Sequence, residues 1–283
     1  MYCIYSGKYL KDEEMNIEHI IPLSLGGSDE FTIMVGREIN CDLGSKVDGK
    51  FCNDFLIMLG QLPYENKGHS KKEKKINLKV KVNNHAATWS LSKNSSQLYD
   101  HIDKKYLNGR HELKVKLLID PNIRWKFVCK VALATGYFLF GDLFEQYADC
   151  STLRKVILSD EDELRREKLD LRLYTNLTPI NESDQIMHAL NKKLFEYLGV
   201  SLVNFGYATG RILTSVAING KYIGTVNFKA DVDRLLPPKD DLHRGGCILM
   251  CKDNKLIKKS FWQSIYDMNE ELKLVDLDAM KKR

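Results

Sequence analysis

The sequence predicts an α+β fold in which an N-terminal ββα unit is followed by a larger, basic α+β domain. Short apolar runs and turn residues within 1–36 give way to helical spacing after residue 38. Residues 76–82 and 113–117 alternate apolar and basic side chains, with the period of two expected of a half-buried strand. The most apolar stretch, 127–144, carries Lys130 and Asp142 and falls short of a clean membrane span, so it predicts a buried helix.

Residues 1–50 predict two strands, a loop and a helix. Residues 2–10 are typical of a short strand and turn, and residues 15–22 of a second strand, which Pro22 ends because it has no N–H to donate. Gly26-Gly27 indicates a turn. From Glu38 onward the spacing of three and four between apolar or small residues indicates a helix.

An acid and a histidine stand side by side in the second predicted strand. Because neighbours in a strand point to opposite faces, Glu18 and His19 cannot both pack against one apolar wall. Asn40 follows Glu18 by 22 positions and, in the first turn of the predicted helix, faces that strand. A metal-assisted hydrolase needs such a pair: a hard oxygen ligand for the cation and an imidazole that takes a proton from water.

These motifs resemble the HNH endonucleases, also called His-Me finger or ββα-metal nucleases. The resemblance covers residues 1–50 and rests on Cys3-Ile4-Tyr5-Ser6-Gly7, Glu18-His19-Ile20-Ile21-Pro22, Leu25-Gly26-Gly27 and Asn40-Cys41-Asp42-Leu43-Gly44-Ser45-Lys46-Val47-Asp48. The pattern Asn-x-x-x-Gly-Ser-Lys-x-Asp in the last stretch is similar to one subgroup of stand-alone bacterial HNH proteins. The resemblance therefore implies that the N-terminal unit is a ββα-metal (HNH) nuclease unit.

The family's roles can be carried over residue by residue. By this resemblance Glu18 matches the acid that ligates the divalent cation, His19 the general base, and Asn40 the second protein ligand of the metal. These three residues form the implied catalytic set. Two oxygen ligands, completed by waters and a phosphate oxygen, suit Mg²⁺ or Mn²⁺.

The sequence departs from the family pattern at the residue that orients the base. Many HNH enzymes have a middle Asn that hydrogen-bonds the base histidine, whereas this chain reads Phe31-Thr32-Ile33 at that place. A backbone carbonyl or Thr32 could orient His19 instead, and the sequence leaves both open.

A second departure concerns zinc. Many relatives hold a structural zinc with two Cys-x-x-Cys pairs, but the corresponding positions here are Cys3, Ser6, Gly36 and Ile39. A single cysteine cannot build a tetrahedral site, so we predict no structural zinc. Apolar contacts are expected to hold this region instead, for which the chain offers Tyr5, Ile39 and Phe51.

The distribution of charge suggests the domain organisation. Residues 1–60 hold 5 Lys/Arg against 10 Asp/Glu, whereas residues 67–126 hold 15 against 5. We predict an HNH domain over 1–60, a connector over 61–75, and an α+β domain over 76–283 that positions nucleic acid or regulates the nuclease. A cation site beside a basic surface suits a polyanionic substrate, and the alternative is a solvated, lysine-rich surface.

Lysines of the two alternating segments share one face if those strands pair. The nucleic-acid contacts that we assign from the sequence are Lys46, Lys79, Lys81, Lys114 and Lys116. A nucleic-acid backbone across the face would offset their mutual repulsion. The alternative is that these lysines keep the sheet soluble and protect its edges. Aromatic or imidazole rings between the two segments are candidates for stacking on exposed bases: Trp89, Tyr99, His101 and Tyr106.

Periodicity and turn residues predict the remaining elements. Helices are predicted over 123–148 (buried), 151–171 (solvated) and 186–198 (ended by Gly199). Strands are predicted over 202–205, 212–218, 222–228 and 245–250. Asn219-Gly220 predicts a hairpin turn because both positions tolerate positive φ, and residues 252–259 predict a basic turn.

The resemblance implies a metal-dependent endonuclease that hydrolyses phosphodiester bonds, with DNA as the expected substrate, in bacterial anti-phage defence or restriction. Because a single site cleaves one strand, double-strand breaks would need a dimer or two events. Two alternatives stay open. One is a nucleic-acid-binding or regulatory protein built on a catalytically inactive HNH scaffold. The other is an effector that is activated when a small signal molecule binds within residues 76–250.

The expected cofactor is Mg²⁺ or Mn²⁺, and the expected partner is nucleic acid, double-stranded DNA in particular. A homodimer, a defence-system partner and a small activator are left open. No membrane partner is expected. Seven cysteines, an odd number without a repeating spacing, favour a reducing compartment, so we expect a cytoplasmic protein.

Overall fold

The computed structural model describes residues 1–64, 75–115, 119–166, 168–177, 182–235 and 246–272. Its strands are β1 (Tyr2–Cys3), β2 (Lys8–Tyr9), β3 (Met15–His19), β4 (Thr32–Gly36), β5 (Ile76–Val82), β6 (His85–Leu91), β7 (Ser96–Asp100), β8 (Lys105–Leu107), β9 (Leu171–Thr175), β10 (Ser201–Ala208), β11 (Arg211–Ile218), β12 (Lys221–Lys229), β13 (Cys247–Lys252) and β14 (Lys255–Ser260). Its helices are α1 (Arg37–Leu43), α2 (Lys50–Cys52), α3 (Phe55–Gln61), α4 (Pro121–Phe140), α5 (Asp142–Tyr147), α6 (Cys150–Leu158), α7 (Glu161–Arg166), α8 (Glu182–Leu198), α9 (Val232–Leu235) and α10 (Phe261–Leu272). The mixed α+β class is as predicted.

The N-terminal unit contains a ββα arrangement, but its strands are not the predicted pair: residues 2–10 form the separate short hairpin β1–β2, and residues 32–36, which are expected in the loop, form β4. β3 and β4 pair antiparallel, with Glu18 opposite Ile33 and His19 opposite Thr32. After β4 the chain enters α1, widens into a π-helical segment at Gly44–Gly49 and resumes α-helical geometry in α2. π-Helical turns inside helices are frequent at functional sites, and this one carries Asp48.

A six-stranded antiparallel sheet, in the order β14-β13-β10-β11-β12-β9, forms the centre of the C-terminal half. The helix α4 packs on β9–β12 and also contacts β4 and α2 of the N-terminal unit. Phe51 stacks on Phe127 with ring centroids 3.9 Å apart, and Phe31 meets Phe138 edge-on at 5.2 Å. One hydrophobic core therefore runs from the N-terminal unit through α4 into this sheet.

The predicted division at 61–75 stays a prediction. Most of that connector, residues 65–74, lies outside the described residues, and the shared core joins the segments on either side of it. The four-stranded sheet β5-β6-β7-β8, by contrast, has a small apolar core of its own, formed by Val80, Val82, Ala87 and Leu98.

The predicted single helix over 123–148 is wrong at its C-terminal end. Gly141 adopts φ 56°, which ends α4 at Phe140 and starts the separate helix α5. A left-handed φ is readily adopted by glycine and breaks the helical hydrogen-bond series. Within the described part of the chain, we find no helix with the length and apolar character needed to cross a membrane.

Two further predictions need correction. Residues 151–171 do not form one solvated helix, because the first part is α6, which buries Leu153, Val156 and Ile157 against α4. Residues 252–259 are not a basic turn. Only Asp253 and Asn254 make the turn, at φ 51° and 60°, and Lys255–Ser260 is a strand paired with β13. Asp-Asn in a two-residue turn allows positive φ at both positions.

Other turn predictions are confirmed. Asn219 and Gly220 adopt φ 48° and 74° in the β11–β12 hairpin, and Gly199 adopts φ 68° immediately after α8. The strand predicted over 245–250 is observed as β13, while residue 245 itself lies outside the described residues.

Candidate active site

One pocket of about 530 Å³ receives the three residues that the sequence singled out. Glu18 and His19 reach it from β3, and Asn40 reaches it from the first turn of α1. Asp48, from the π-helical segment, lines the same pocket. The local ββα order brings these side chains together because the helix folds directly back over the hairpin that precedes it.

The imidazole of His19 is held by a carboxylate that sequence reasoning missed. Its Nε2 lies 2.9 Å from Oδ1 of Asp29, in the loop between β3 and β4. His19 is one-fifth exposed, so the ring is neither buried among aliphatic side chains nor fully solvated. A carboxylate that accepts a hydrogen bond from Nε2–H favours the tautomer in which Nε2 carries the proton and Nδ1 carries the lone pair.

Glu18 contacts a buried ammonium group from α4. Lys130 has no exposed side-chain surface, and its Nζ donates to Oε1 of Glu18 and, at 2.6 Å, to Oδ2 of Asp48. Burial alone would lower the pKa of Lys130, but the carboxylates of Asp48 and Glu18 outweigh it and hold the pKa above its ordinary value. Lys130 is therefore charged and neutralises one of the two carboxylates.

The pKa values of the two carboxylates are raised as well, but for a different reason. Burial raises the pKa of Glu18 and that of Asp48, and the Lys130 charge opposes the rise in both. Oδ1 of Asp48 is buried and, among the described residues, has no hydrogen-bond partner. Because an unsatisfied buried oxygen is costly, a cation ligand or water at this atom would be stabilising.

Hydrogen bonds from the side-chain amide of Asn40 fix its orientation. Its Nδ2 donates to Oδ1 of Asn16 at 3.1 Å and to the carbonyl of Ile17 at 3.4 Å. A carbonyl can only accept, so the amide nitrogen must lie on that side and Oδ1 on the other. The Oδ1 atom of this amide is therefore available as a neutral oxygen ligand in the pocket wall.

These donors fit a hard divalent cation. Glu18, Asp48 and Asn40 supply the carboxylate and amide oxygens that Mg²⁺ and Mn²⁺ prefer. Within the described ranges no three His, Cys, Asp or Glu side chains converge as a ready metal site. An ion held here would thus rely on the Asn40 amide and on water in addition to a carboxylate.

Comparison with known proteins agrees with this geometry. Residues 3–56 match the HNH endonuclease family model. The match is to this segment only, and searches among curated proteins and among solved structures found no match for the chain. An HNH endonuclease segment indicates a phosphodiester hydrolase, hence a nucleic-acid substrate, and this family typically uses a divalent metal.

In the HNH segment, residues 3–56, apolar packing surrounds the positions where many relatives hold zinc. Cys3 is buried, and its sulfur accepts a hydrogen bond from the Gly36 N–H at 3.2 Å. Ile39 packs against the same core, and Tyr5 is buried. Phe51 instead stacks on Phe127, which ties the HNH segment to α4.

The predicted nucleic-acid lysines do not line the active-site pocket. Lys46 is exposed and pairs with Asp42 one helical turn away, a contact of little energetic weight. Lys79 and Lys81 are exposed, and Lys81 exchanges backbone hydrogen bonds with Lys114 at 2.9 and 3.0 Å, which places these lysines on one face. Lys116 lies outside the described residues.

Two tyrosines share the face with the lysines. Cross-strand pairs join Lys79 to Thr88, Thr88 to Tyr99, and Tyr99 to Tyr106 in a single row across the four strands. Tyr106 is 62% exposed, and its ring centroid lies 5.2 Å from that of Tyr99. Trp89 lies in the alternate row and packs against the small core of this sheet.

Sequence reasoning missed Asp29, Asp48 and Lys130 as members of the site. Asp48 ends the motif that begins at Asn40, and Lys130 is a basic residue inside the most apolar stretch of the chain. A lysine in a buried helix requires a carboxylate partner, which is the signal that could have linked α4 to the HNH segment. Asp29 offered no comparable signal.

Proposed function

We propose that this protein is a metal-dependent HNH endonuclease that hydrolyses phosphodiester bonds of DNA. The observation that carries the proposal is the convergence of Glu18, His19 and Asn40 on one pocket, with His19 held by Asp29. The segment match to HNH endonucleases supports the same reaction class.

In this proposal His19 is the general base. Asp29 accepts a hydrogen bond from the Nε2–H of His19, which leaves Nδ1 to take a proton from the attacking water. Oxygens of Glu18 and Asn40 would hold Mg²⁺ or Mn²⁺ at the pocket. When bound, the cation supplies stabilisation of charge on the cleaved phosphate and its leaving oxygen. The Lys130 charge opposes the rise that burial causes in the pKa of Glu18, and its ammonium group holds the Glu18 carboxylate in place.

The lysine face of the β5–β8 sheet is proposed to hold the nucleic acid. Lys79, Lys81 and Lys114 offer charges for successive phosphates, and Tyr99 and Tyr106 offer rings in the same cross-strand row as Lys79. The remaining predicted contacts, Lys46 and Lys116, stay proposals. Duplex DNA remains the expected substrate, and a DNase active in bacterial anti-phage defence or restriction is the role we propose.

A plasmid-nicking assay with Mg²⁺ tests the activity. The unsubstituted protein should convert supercoiled to nicked plasmid, because one site cleaves one strand, whereas His19→Ala should not. His111→Ala is a matched control, because His111 is exposed and its ring forms a hydrogen bond with a carbonyl close by in sequence, that of Asn108. Equal cleavage by His19→Ala and the unsubstituted protein would refute the proposal.

A second candidate is a catalytically inactive HNH scaffold that binds nucleic acid or regulates another protein. One observation favours it: Lys130 already supplies a cation to both Glu18 and Asp48. No nicking by either the unsubstituted protein or His19→Ala, with undiminished DNA retention in both, would support this alternative.

A further inference from the structure

The β13–β14 hairpin of the six-stranded sheet contacts the loop that carries Asp29. Asn254 stands at the tip of this hairpin with φ 60°, and Asp29 lies between β3 and β4 of the HNH segment. The two residues are 225 positions apart in sequence. The contact therefore joins the catalytic loop to an element far outside the segment that matches HNH endonucleases.

Asn254 binds Asp29 through both ends of its amide. Its Nδ2 donates to Oδ2 of Asp29 at 2.7 Å, and its Oδ1 accepts the Asp29 backbone N–H at 2.8 Å. This contact needs a donor and an acceptor on one short planar group. Aspartate cannot supply the donor at neutral pH, and glycine supplies neither.

Two neighbouring hydrogen bonds fix the loop on either side. The hydroxyl of Ser28, which is fully buried, donates to the Asn254 carbonyl at 2.8 Å. Glu30 accepts the backbone N–H of Leu256 at 2.7 Å. Three successive loop residues are thus held by one hairpin, which limits the movement of the loop backbone.

The carboxylate of Asp29 forms a bridge. Oδ2 accepts from Asn254 while Oδ1 faces Nε2 of His19 at 2.9 Å. The Asp29 side chain is 62% exposed, so little packing would prevent its rotation toward solvent. A hydrogen bond to the second oxygen restricts that rotation and so keeps the first oxygen on the imidazole.

We propose that Asn254 is a positioning residue for the catalytic base, acting through Asp29 on His19. The inference rests on the proposed nuclease function and deepens it: the C-terminal sheet completes the HNH active site. Removing the Asn254 side chain should leave DNA binding intact but allow His19 to change tautomer and orientation. The loss should appear in kcat rather than in KM.

Asn254→Gly isolates the side chain, because glycine tolerates the positive φ of this position and the turn can be kept. We expect kcat to fall by about 10-fold, with KM for plasmid changed less than about twofold. Asn84→Gly is the matched control. Asn84 has φ 67° in the exposed β5–β6 turn and should retain both parameters.

A double-mutant cycle separates positioning from a general effect on the fold. If Asn254 acts through Asp29, Asn254→Gly should cause little further loss in an Asp29→Ala background. Asn254→Asp should be more damaging than Asn254→Gly, because it places a second carboxylate against Oδ2 of Asp29. A purely conformational role for the turn would make both substitutions mild, because glycine and aspartate both tolerate positive φ.

A readout without activity keeps the inference distinct from the nuclease proposal. Long-range ¹H–¹⁵N NMR at pH 8 should show the Nε2–H tautomer of His19 in the unsubstituted protein and a mixture in Asn254→Gly. If Asn254→Gly shows the same His19 tautomer as the unsubstituted protein and the same kcat as Asn84→Gly, the inference is wrong, while the proposed nuclease function still stands. If the unsubstituted protein does not cleave DNA, the proposed nuclease function is refuted, and the NMR comparison still decides whether Asn254 positions His19.

Discussion

Lys130 and Asp48, 82 residues apart in sequence, form an ion pair at 2.6 Å inside the protein. The same ammonium contacts Glu18, so one side chain from α4 joins two carboxylates of the HNH segment. Since Lys130 is fully buried, removing it leaves two carboxylates in a poorly solvated site without their buried cation.

The Lys130→Met variant should therefore lose stability. Breaking a buried charge pair by removing one partner costs about 3–5 kcal/mol, so the free energy of unfolding in urea should fall by about that amount. Added Mg²⁺ should raise Tm more in Lys130→Met than in the unsubstituted protein, because the ion can replace the lost charge. Lys221→Met, at an exposed position, is the control. Unchanged stability would contradict the assigned pairing.

Asn40→Ala should abolish cleavage without unfolding the protein. The substitution removes a proposed ligand oxygen together with two hydrogen bonds of a partly exposed side chain. We expect plasmid nicking to fall at least about 100-fold and Tm to change by only a few degrees. Asn53→Ala, which removes a surface amide of the same segment, should keep its activity. Normal cleavage by Asn40→Ala would defeat the ligand assignment.

Glu18→Ala should lower both the activity, as Asn40→Ala does, and the stability, as Lys130→Met does. It removes the proposed carboxylate ligand and also leaves Lys130 with one carboxylate partner fewer inside the core. Both activity and the free energy of unfolding should fall, whereas in Asn40→Ala the loss of activity should come with only a small change in stability. Parallel nicking assays and urea denaturation of the two variants check this contrast.

Reversing the charge of Lys79, Lys81 and Lys114 to Glu should weaken DNA binding and flatten its salt dependence. Each lost phosphate contact is expected to reduce the slope of log K against log salt by about 0.9 for duplex DNA. A triple Glu variant of the exposed Lys192, Lys193 and Lys221 changes net charge equally. Fluorescence anisotropy over a salt series measures the DNA affinity of each variant and the salt dependence of that affinity. Equal effects in the two triple variants would reject a specific face.

The pair of Arg154 and Glu145 should give a defined pH dependence of stability. Burial would raise the pKa of Glu145, but hydrogen bonds from Arg154 outweigh it and hold the pKa below 4.5. A depressed folded-state pKa contributes stability above the unfolded pKa, and this contribution is lost as the pH falls through the folded pKa. The difference in free energy of unfolding between the unsubstituted protein and Glu145→Gln should thus be constant above about pH 5.5 and shrink below about pH 4.5.

Glu196→Gln is the control for that titration because Glu196 is exposed. Its difference from the unsubstituted protein should stay small across the range. A difference for Glu145→Gln that grows as the pH falls would contradict the sign of the assigned pKa change.

Sequence reasoning succeeded where the relevant contacts are local. Glu18 and His19 belong to a strand pattern, Asn40 to the helix that follows, and the hairpin-and-helix order brings all three to one pocket. The Asn219-Gly220 turn could be predicted equally well, because the tolerance of positive φ is a property of the residue types themselves. The Asp253-Asn254 turn carries the same local signal, but its position within a basic stretch led to the wrong interpretation.

The sequence by itself determined the chemistry that we propose for the HNH segment: which acid, which imidazole and which amide. Only the tertiary structure decided what holds those groups in place. Lys130 lies 112 residues from Glu18, and Asn254 lies 225 residues from Asp29. Such pairs depend on how α4 and the β13–β14 hairpin pack against the N-terminal unit, and no local periodicity encodes that packing.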